Sequence, residues 1–506
     1  LAACSGAADD EGADGSGGSG QIGAGGGYNP GSGAGANPGS GGGVNPGTGG
    51  GVNPGTGGGV NPGTGGGVNP GTGGGVNPGT GGGTNPVAGG GGNPTECTIS
   101  VSHSVSPKIS SVFTVEFVTD FAGSATINFG KVSEGFTLVA PVGEGETSAL
   151  LLGMTHTTDY QYQVVVDSGT GQCVSETMTL TTGGLPGGSG IANATIQPGS
   201  SSSPVEPGFI VTSSGIGQGG PYAYIVNHQG ELVWWYETPF GEVSAARMSW
   251  DGKFMYAREL NVGRAQNGRV LKVSMDGLTE EVINLSTSHH DMAPTPDGGF
   301  LYIAGYGNNS CDGIFKYPSE ELLFDVDSAF SWFGVGAIGS ENCHVNAIHY
   351  NEFDNSVTFS DTNHNAFVSL DYETGALKWI YGGEADSTYT GDVSWNREHG
   401  HHMPDADTMY LFSNGAISFG ESNIYRARFS GTTATWDWHY NPGVHSGTLG
   451  DVQGLPGGNV LVAYSSGGGL LHEVDENEQL VQIMDLPFGN AGYANHRPTL
   501  YGKPPR

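Results

Sequence analysis

Basic residues are scarce. Lys and Arg number 16 against 49 Asp and Glu, which leaves a formal net charge of −33 on 506 residues. Affinity for nucleic acid comes from clustered Lys and Arg, so the chain is a poor general binder of nucleic acid. No run of about 20 apolar residues occurs, and no transmembrane helix is expected. The cysteines number five, and no two are spaced C-x-x-C, which leaves a thioredoxin-type redox motif unsupported. No His-Glu-x-x-His or comparable metal pattern is present, and no metal is assigned. Glycine is plentiful instead, with 94 residues in the whole chain and the greatest density in its first fifth, so the length overstates the folded part.

From Tyr28 an eight-residue unit recurs, with Asn-Pro pairs beginning at Asn29, Asn37, Asn45 and so on to Asn93. The commonest unit, Val-Asn-Pro-Gly-Thr-Gly-Gly-Gly, has almost no side chain to bury and cannot repay backbone entropy through a core. Residues 1–94 are therefore expected to form a disordered Gly-rich spacer; an ordered polyglycine-like bundle is the alternative. The opening Leu1-Ala2-Ala3-Cys4-Ser5 resembles the lipobox of bacterial lipoproteins, which implies lipidation of Cys4 and a lipid anchor to a membrane. The other four cysteines fall two to each folded region. They are expected to pair as Cys97 with Cys173 and Cys311 with Cys343 in an oxidising compartment, the alternative being four free thiols.

Residues 95–184 carry seven short stretches, mostly of period two, such as Phe113-Thr-Val-Glu-Phe-Val-Thr119 and Tyr160-Gln-Tyr-Gln-Val-Val-Val166, with no helical pattern. That predicts a small β-sandwich. The run from Leu151 to Tyr162, ending at Thr181-Thr182, resembles a fibronectin type III domain, a family of spacer and adhesion modules. Residues 185–204 read as a second linker.

From 205 to 506 two patterns alternate. One is a strand, a polar turn and a strand, as in Val368-Ser-Leu-Asp-Tyr-Glu-Thr-Gly375. The other is a turn followed by a strand, as in Pro296-Asp-Gly-Gly-Phe-Leu-Tyr302. Asp-Gly and Gly-Asn supply the positive φ of tight hairpins. A strand-rich unit repeated six times predicts a six-bladed β-propeller, the chain being all-β, with Pro207–Ser213 donating a strand to the last blade. A seven-bladed ring or paired sandwiches are the alternatives.

Histidines recur just upstream of the turn-strand pattern: His289 and His290 with Asp291, His344 with Asn346 and His349, and His399 with His401 and His402. Equivalent positions in successive blades converge on the channel, so separate blades can bring imidazoles to one point. Rim residues and turn caps are the plain alternative.

Several segments resemble the arylsulfate sulfotransferase family: Ser288–Gly298, Cys343–Ile348, Asp371–Gly383, Phe412-Ser-Asn-Gly415 and Asn495-His-Arg-Pro-Thr-Leu-Tyr-Gly502. The resemblance implies a six-bladed propeller of the bacterial cell envelope, as an outer-membrane lipoprotein or an extracellular protein. It implies transfer of a sulfuryl group from a phenolic sulfate donor to a phenol acceptor, through a sulfated histidine and without a nucleotide or other cofactor. On the matching motifs the nucleophile falls on His399, with His401 and His402 adjacent. The acid–base partners fall on His344 and His290, and an oxygen donor on Asn346. His289, His401, His402, Thr362 and Arg497 are expected around the substrate. The family's arginine before the Asp-x-x-Thr-Gly turn is missing, Thr362 or Asn363 standing there, and Arg258, Arg264, Arg426 or Arg497 is left to supply the cation. Two other readings stay open. One is a noncatalytic surface propeller that grips a glycan or cell-surface protein through Trp234, Trp235, Trp332 and Tyr381. The other is a metal site built from the His clusters and Asp291.

Overall fold

The computed structural model describes residues 97–505, apart from 188–189, 216–219, 261–267, 307–310, 331–342, 384–385, 394 and 416–419. Cys4, the octapeptide tail, Arg264 and Trp332 lie outside the described residues.

Eight strands make the N-terminal sandwich. A three-stranded sheet joins Ile99–Val105, Phe113–Thr119 and Ser148–Leu151, and a five-stranded sheet is centred on Ser124–Lys131 and Asp159–Asp167. Period two works here as expected: Tyr160, Tyr162, Val164 and Val166 are buried while the residues between them are half-buried. The strand missed by the sequence, Gln172–Val174, carries Cys173, which is disulfide-bonded to Cys97. The sandwich is not held off by a free linker. Ile109, Val112 and Leu152 share a buried core with Phe209, Trp234 and Tyr236. Ser111 Oγ donates to Val233 O at 2.8 Å, and Tyr501 Oη donates to Leu150 O at 2.9 Å.

Six sheets follow, each of four or five strands, and they form the blades of a propeller. Blades 2 to 6 begin with the innermost strands Val243–Met248, Ser288–Pro294, Val345–Asn351, Glu398–Asp405 and Asp451–Gly454. Blade 1 is closed by both ends of the propeller chain. Its innermost strand is the C-terminal Asn495–Arg497, paired antiparallel with Phe209–Ser213. The expectation that Pro207–Ser213 completes the last blade is thus corrected: the C-terminal strand completes the first. The stretch read as a linker is corrected too, because Thr195–Pro198 pairs with Leu480–Asp485 and adds a fifth strand to the edge of blade 6.

Alternation fades in the propeller because stacked blades cover both faces of a strand. Every residue of Tyr222–Asn227 and of Ser356–Asp361 is buried. The same stacking corrects the proposed aromatic rim. Trp234, Trp235 and Tyr381 are buried between blades and are not displayed to a glycan. No helix among the described residues is long and apolar enough to cross a membrane.

Candidate functional site

In blades 2 to 5 the innermost strand slips register against its neighbour at the same place. The slips fall between Val243 and Ala245, His289 and Met292, Val345 and Ala347, and Glu398 and His401. A bulge breaks the in–out alternation and re-aims the extra residues. The residues so released are Ser244, His290 with Asp291, Asn346, and His399 with Gly400. His290 is held at φ 58°, a left-handed conformation rare for a residue with a Cβ. Gly400 has no room for one, because a Cβ there would press on the Gly450 and Asp451 backbone of blade 6.

The bulges bring three of the predicted histidines together. The rings of His290 and His344 lie 4.8 Å apart, and those of His290 and His399 6.3 Å apart. His344 Nε2 is 3.4 Å from His290 Nε2. Asn346 donates from Nδ2 to Glu398 O at 2.8 Å, and its buried Oδ1 has no partner among the described residues. Thr362 lies beside them: its N–H donates to His344 O at 2.9 Å, and its buried hydroxyl is unpartnered.

The protonation of His399 follows from its neighbour. Asn414 donates from Nδ2 to Ser446 O at 2.7 Å and Leu449 O at 2.6 Å, so its Oδ1 must face His399 Nδ1, 2.8 Å away. An amide oxygen only accepts, so Nδ1 carries the proton and Nε2 keeps its lone pair. Nε2 is buried without a partner among the described residues. Burial pushes the imidazole down to about 3, against the opposing Asn414 bond, so the ring is neutral near pH 7. Burial likewise holds His290 well below the usual range, helped by His344, His289, His399 and Arg258 around it.

Of the arginines considered, Arg258 is the one whose charge acts on His290. Fully buried in blade 2, it donates from Nη1 to Ser288 Oγ at 3.2 Å, while Nε and Nη2 have no partner. Among the described residues it makes no ion pair, and burial lowers it to about 10 against the fields of Asp291 and Glu259.

Behind His290 stands a second tier. His289 Nδ1 is 2.6 Å from His290 Nδ1, and His289 Nε2 is 2.8 Å from Asp312 Oδ1. Asp312 Oδ2 accepts the Val345 N–H at 2.8 Å, and the Cys311–Cys343 disulfide clasps the chain one residue before Asp312 and one before His344.

Below these groups the channel is plugged. Arg247 reaches Asp291 Oδ2 at 3.2 Å and Asp451 Oδ2 at 3.5 Å, over a buried cluster of Ala245, Ala347, Leu449 and Tyr493. Asp291 is therefore turned to an arginine and away from the histidines, which corrects its place in a metal site. No group of three His, Cys, Asp or Glu among the described residues is arranged to hold a metal.

Three expected substrate residues are not with the rest. The bulge at His399 and Gly400 turns His401 between blades, where its Nε2 meets Thr358 Oγ1 at 2.9 Å and its ring packs on Phe367. His402 accepts the Gly454 N–H at 3.2 Å. Arg497 is buried and donates to the Thr499 and Gly502 carbonyls. Both His402 and Arg497 line a cavity of about 100 Å³ at the opposite ends of the inner strands, beyond the plug. Arg426 is committed to Asp437 at 2.7 Å on an outer strand pair. Sequence reasoning missed Asp312 and the role of Asn414. Both had a signal: Asp312 follows a cysteine whose partner precedes His344, and Asn414 lies in the Phe-Ser-Asn-Gly stretch already singled out.

Residues 319–485, about a third of the chain, match the arylsulfotransferase (ASST) family. The matched span includes His344, Asn346, Thr362, His399 and Asn414. No curated protein matches the chain. Among solved structures it is similar to a protein of unknown function from Desulfotomaculum acetoxidans DSM 771, at 11% identity over 74% of this chain and 99% of that one, TM-score 0.38. It is also similar to an auxiliary nutrient binding protein from Bacteroides thetaiotaomicron VPI-5482, at 10% identity over 77% and 86%, TM-score 0.34. A third is the β-propeller domain of the trilobed protease from Pyrococcus furiosus, at 10% identity over 47% and 69%, TM-score 0.28.

Proposed function

We propose that the chain is an aryl-sulfate sulfotransferase that passes a sulfuryl group from a phenolic sulfate to a phenol by way of His399. The observation that carries this reading is the state of that ring: Nδ1–H is fixed on Asn414, and a bare, buried Nε2 lies beside two further imidazoles. Nε2 attacks sulfur, an N–S bond forms, and the S–O bond to the aryl oxygen breaks. Arg258, with two unpartnered N–H-bearing nitrogens and no carboxylate of its own, matches a monoanionic sulfate ester in charge. In this reading the Thr362 hydroxyl donates to an ester oxygen, Asn346 can offer only the second hydrogen of Nδ2, the first being held by Glu398 O, and His290 or His344 exchanges the phenol proton. An acceptor phenol then takes the sulfuryl group from His399 by the reverse sequence.

In the same reading Cys4 bears the lipid, the octapeptide tail is a tether, the sandwich is a fibronectin type III-like module, and the enzyme works at the bacterial cell envelope. The two disulfides suit a compartment that keeps cysteines oxidised.

The test is turnover of a chromogenic aryl sulfate with a phenol acceptor and no nucleotide. Acceptor-dependent phenol release is expected, and His399→Ala should lower it by roughly 10³-fold or more with the circular dichroism unchanged. Absence of turnover across a broad panel of aryl sulfates would overturn the proposal.

A further inference from the structure

Sulfuryl transfer between phenols has a proton to account for. The leaving aryloxide must gain one in the first half-reaction, and the acceptor phenol must lose one in the second. Between the second half-reaction of one turnover and the first of the next, that proton needs a place in the protein. His290 is badly suited to keep it, being buried among His344, His289 and His399 with the Arg258 cation nearby.

We propose that Asp312 and His289 form a proton store behind His290, holding the acceptor's proton after one turnover and returning it to the leaving phenolate in the next. This inference rests on the transfer reading above. It follows from the order of the contacts. Asp312 offers carboxylate oxygens, one to the Val345 N–H and one to His289 Nε2 at 2.8 Å. A carboxylate accepts, so His289 donates from Nε2 and its Nδ1 is left to face His290 Nδ1 at 2.6 Å. With both rings neutral, His290 donates from Nδ1 and its Nε2, 3.4 Å from His344 Nε2, carries no proton of its own. That nitrogen is the base for an incoming phenol.

The steps balance. Acceptor O–H gives its proton to His290 Nε2 as the aryl oxygen bonds to sulfur and the N–S bond to His399 breaks. His290 Nδ1–H then passes to His289 Nδ1, leaving an imidazolium on His289 against the Asp312 carboxylate. His290 is again neutral, now with the proton on Nε2. When the next donor binds, that proton goes to the leaving aryloxide, His290 Nδ1 recovers its proton from His289, and the store is empty while His399 carries the sulfuryl group. His289 is faced by Asp312, His290 and His344, and of these only Asp312 is an anion. His289 and Asp312 are therefore positioning residues acting through His290.

The experiment compares wild type with Asp312→Asn and His289→Gln over aryl sulfates of graded leaving-group basicity. The glutamine variant leaves the Asp312 bond to Val345 in place, which keeps folding apart from the relay. Donors whose phenols are acidic, such as nitrophenyl sulfate, need no proton and should lose less than about 3-fold, while donors with basic phenols should lose roughly 10²-fold. An equal loss for all donors would mean a structural role and overturn the proposal. A second readout is independent of activity. Histidine-labelled protein should show far-downfield imidazole N–H resonances that vanish in both variants, and their absence from wild type would also overturn it. A wild type that shows those resonances yet transfers no sulfuryl group would sink the transfer reading, and the store's function with it, while the hydrogen-bond chain itself stands.

Discussion

Asn414 decides which nitrogen of His399 keeps its lone pair. Its amide is turned by two backbone carbonyls, so the choice is made by the backbone of the loop Ser446–Leu449 and does not depend on solvent. Arg258 is the second residue on which the proposed transfer depends. A buried guanidinium with unmet N–H groups is costly unless an anion completes it. Arg258→Gln is expected to lower kcat/KM for aryl sulfates by roughly 10²- to 10³-fold with thermal stability retained or raised, as measured by steady-state kinetics and calorimetry. Activity within twofold of wild type would remove it from the site. His401 gives a stability test instead. Burial pushes it down to about 3 in the folded protein, whereas an unfolded histidine titrates near about 6.5. Below pH ~6.5 the unfolded chain binds a proton that the folded chain does not, so this residue lowers stability progressively as pH falls toward 3. His401→Gln should therefore be less stable than wild type at pH 8, through loss of the Thr358 contact, and should recover about 2 kcal/mol relative to wild type by pH 5. A deficit unchanged with pH in paired melting curves would contradict the assignment.

At the scale of elements, the site is made by bulges at one level of four successive inner strands. Part of this was legible in the sequence as histidines placed before three of the turn-strand patterns, and that gave His290, His344 and His399. What was not legible is the direction in which each side chain leaves a bulge. His401 and His402 sit two and three residues from His399, yet the bulge sends one between blades and the other toward blade 6. Arg258 shows the same limit from the other side: it reaches the site from a second strand, paired with Ala245 across the blade 2 bulge. The Cys311–Cys343 bond ties the third strand of blade 3 to the segment that carries His344 into blade 4. It closes a sequence separation of 32 residues, for which chain entropy alone gives about 3–4 kcal/mol. The Cys311→Ala, Cys343→Ala double variant should melt lower by a corresponding amount. Its transfer rate should fall more than that of a variant lacking Cys97–Cys173, because only the first bond adjoins Asp312 and His344. Equal effects of the two bonds on turnover would contradict this.

At the scale of the whole molecule, the ring is what gives the distant histidines a common centre. His290, His344 and His399 come from blades 3, 4 and 5, and no sheet contains two of them together with their hydrogen-bonded neighbours. Closure depends on the C-terminal Asn495–Arg497 pairing with Phe209–Ser213, and the sandwich packs onto the same part of the ring through Trp234 and Tyr501. Repeat spacing made the six blades readable from sequence. The velcro partner was not readable, because a short strand at either end of a repeat array fits the closing position equally well. The proposed chemistry then reduces to one covalent bond, which can be observed directly. Mixing the protein with an aryl sulfate in the absence of acceptor, quenching at alkaline pH and mapping the peptides by mass spectrometry should find one added SO3 on His399, discharged when phenol is supplied. A protein that releases phenol while His399 stays unmodified, or that carries the adduct on His290 or His344, would contradict the account.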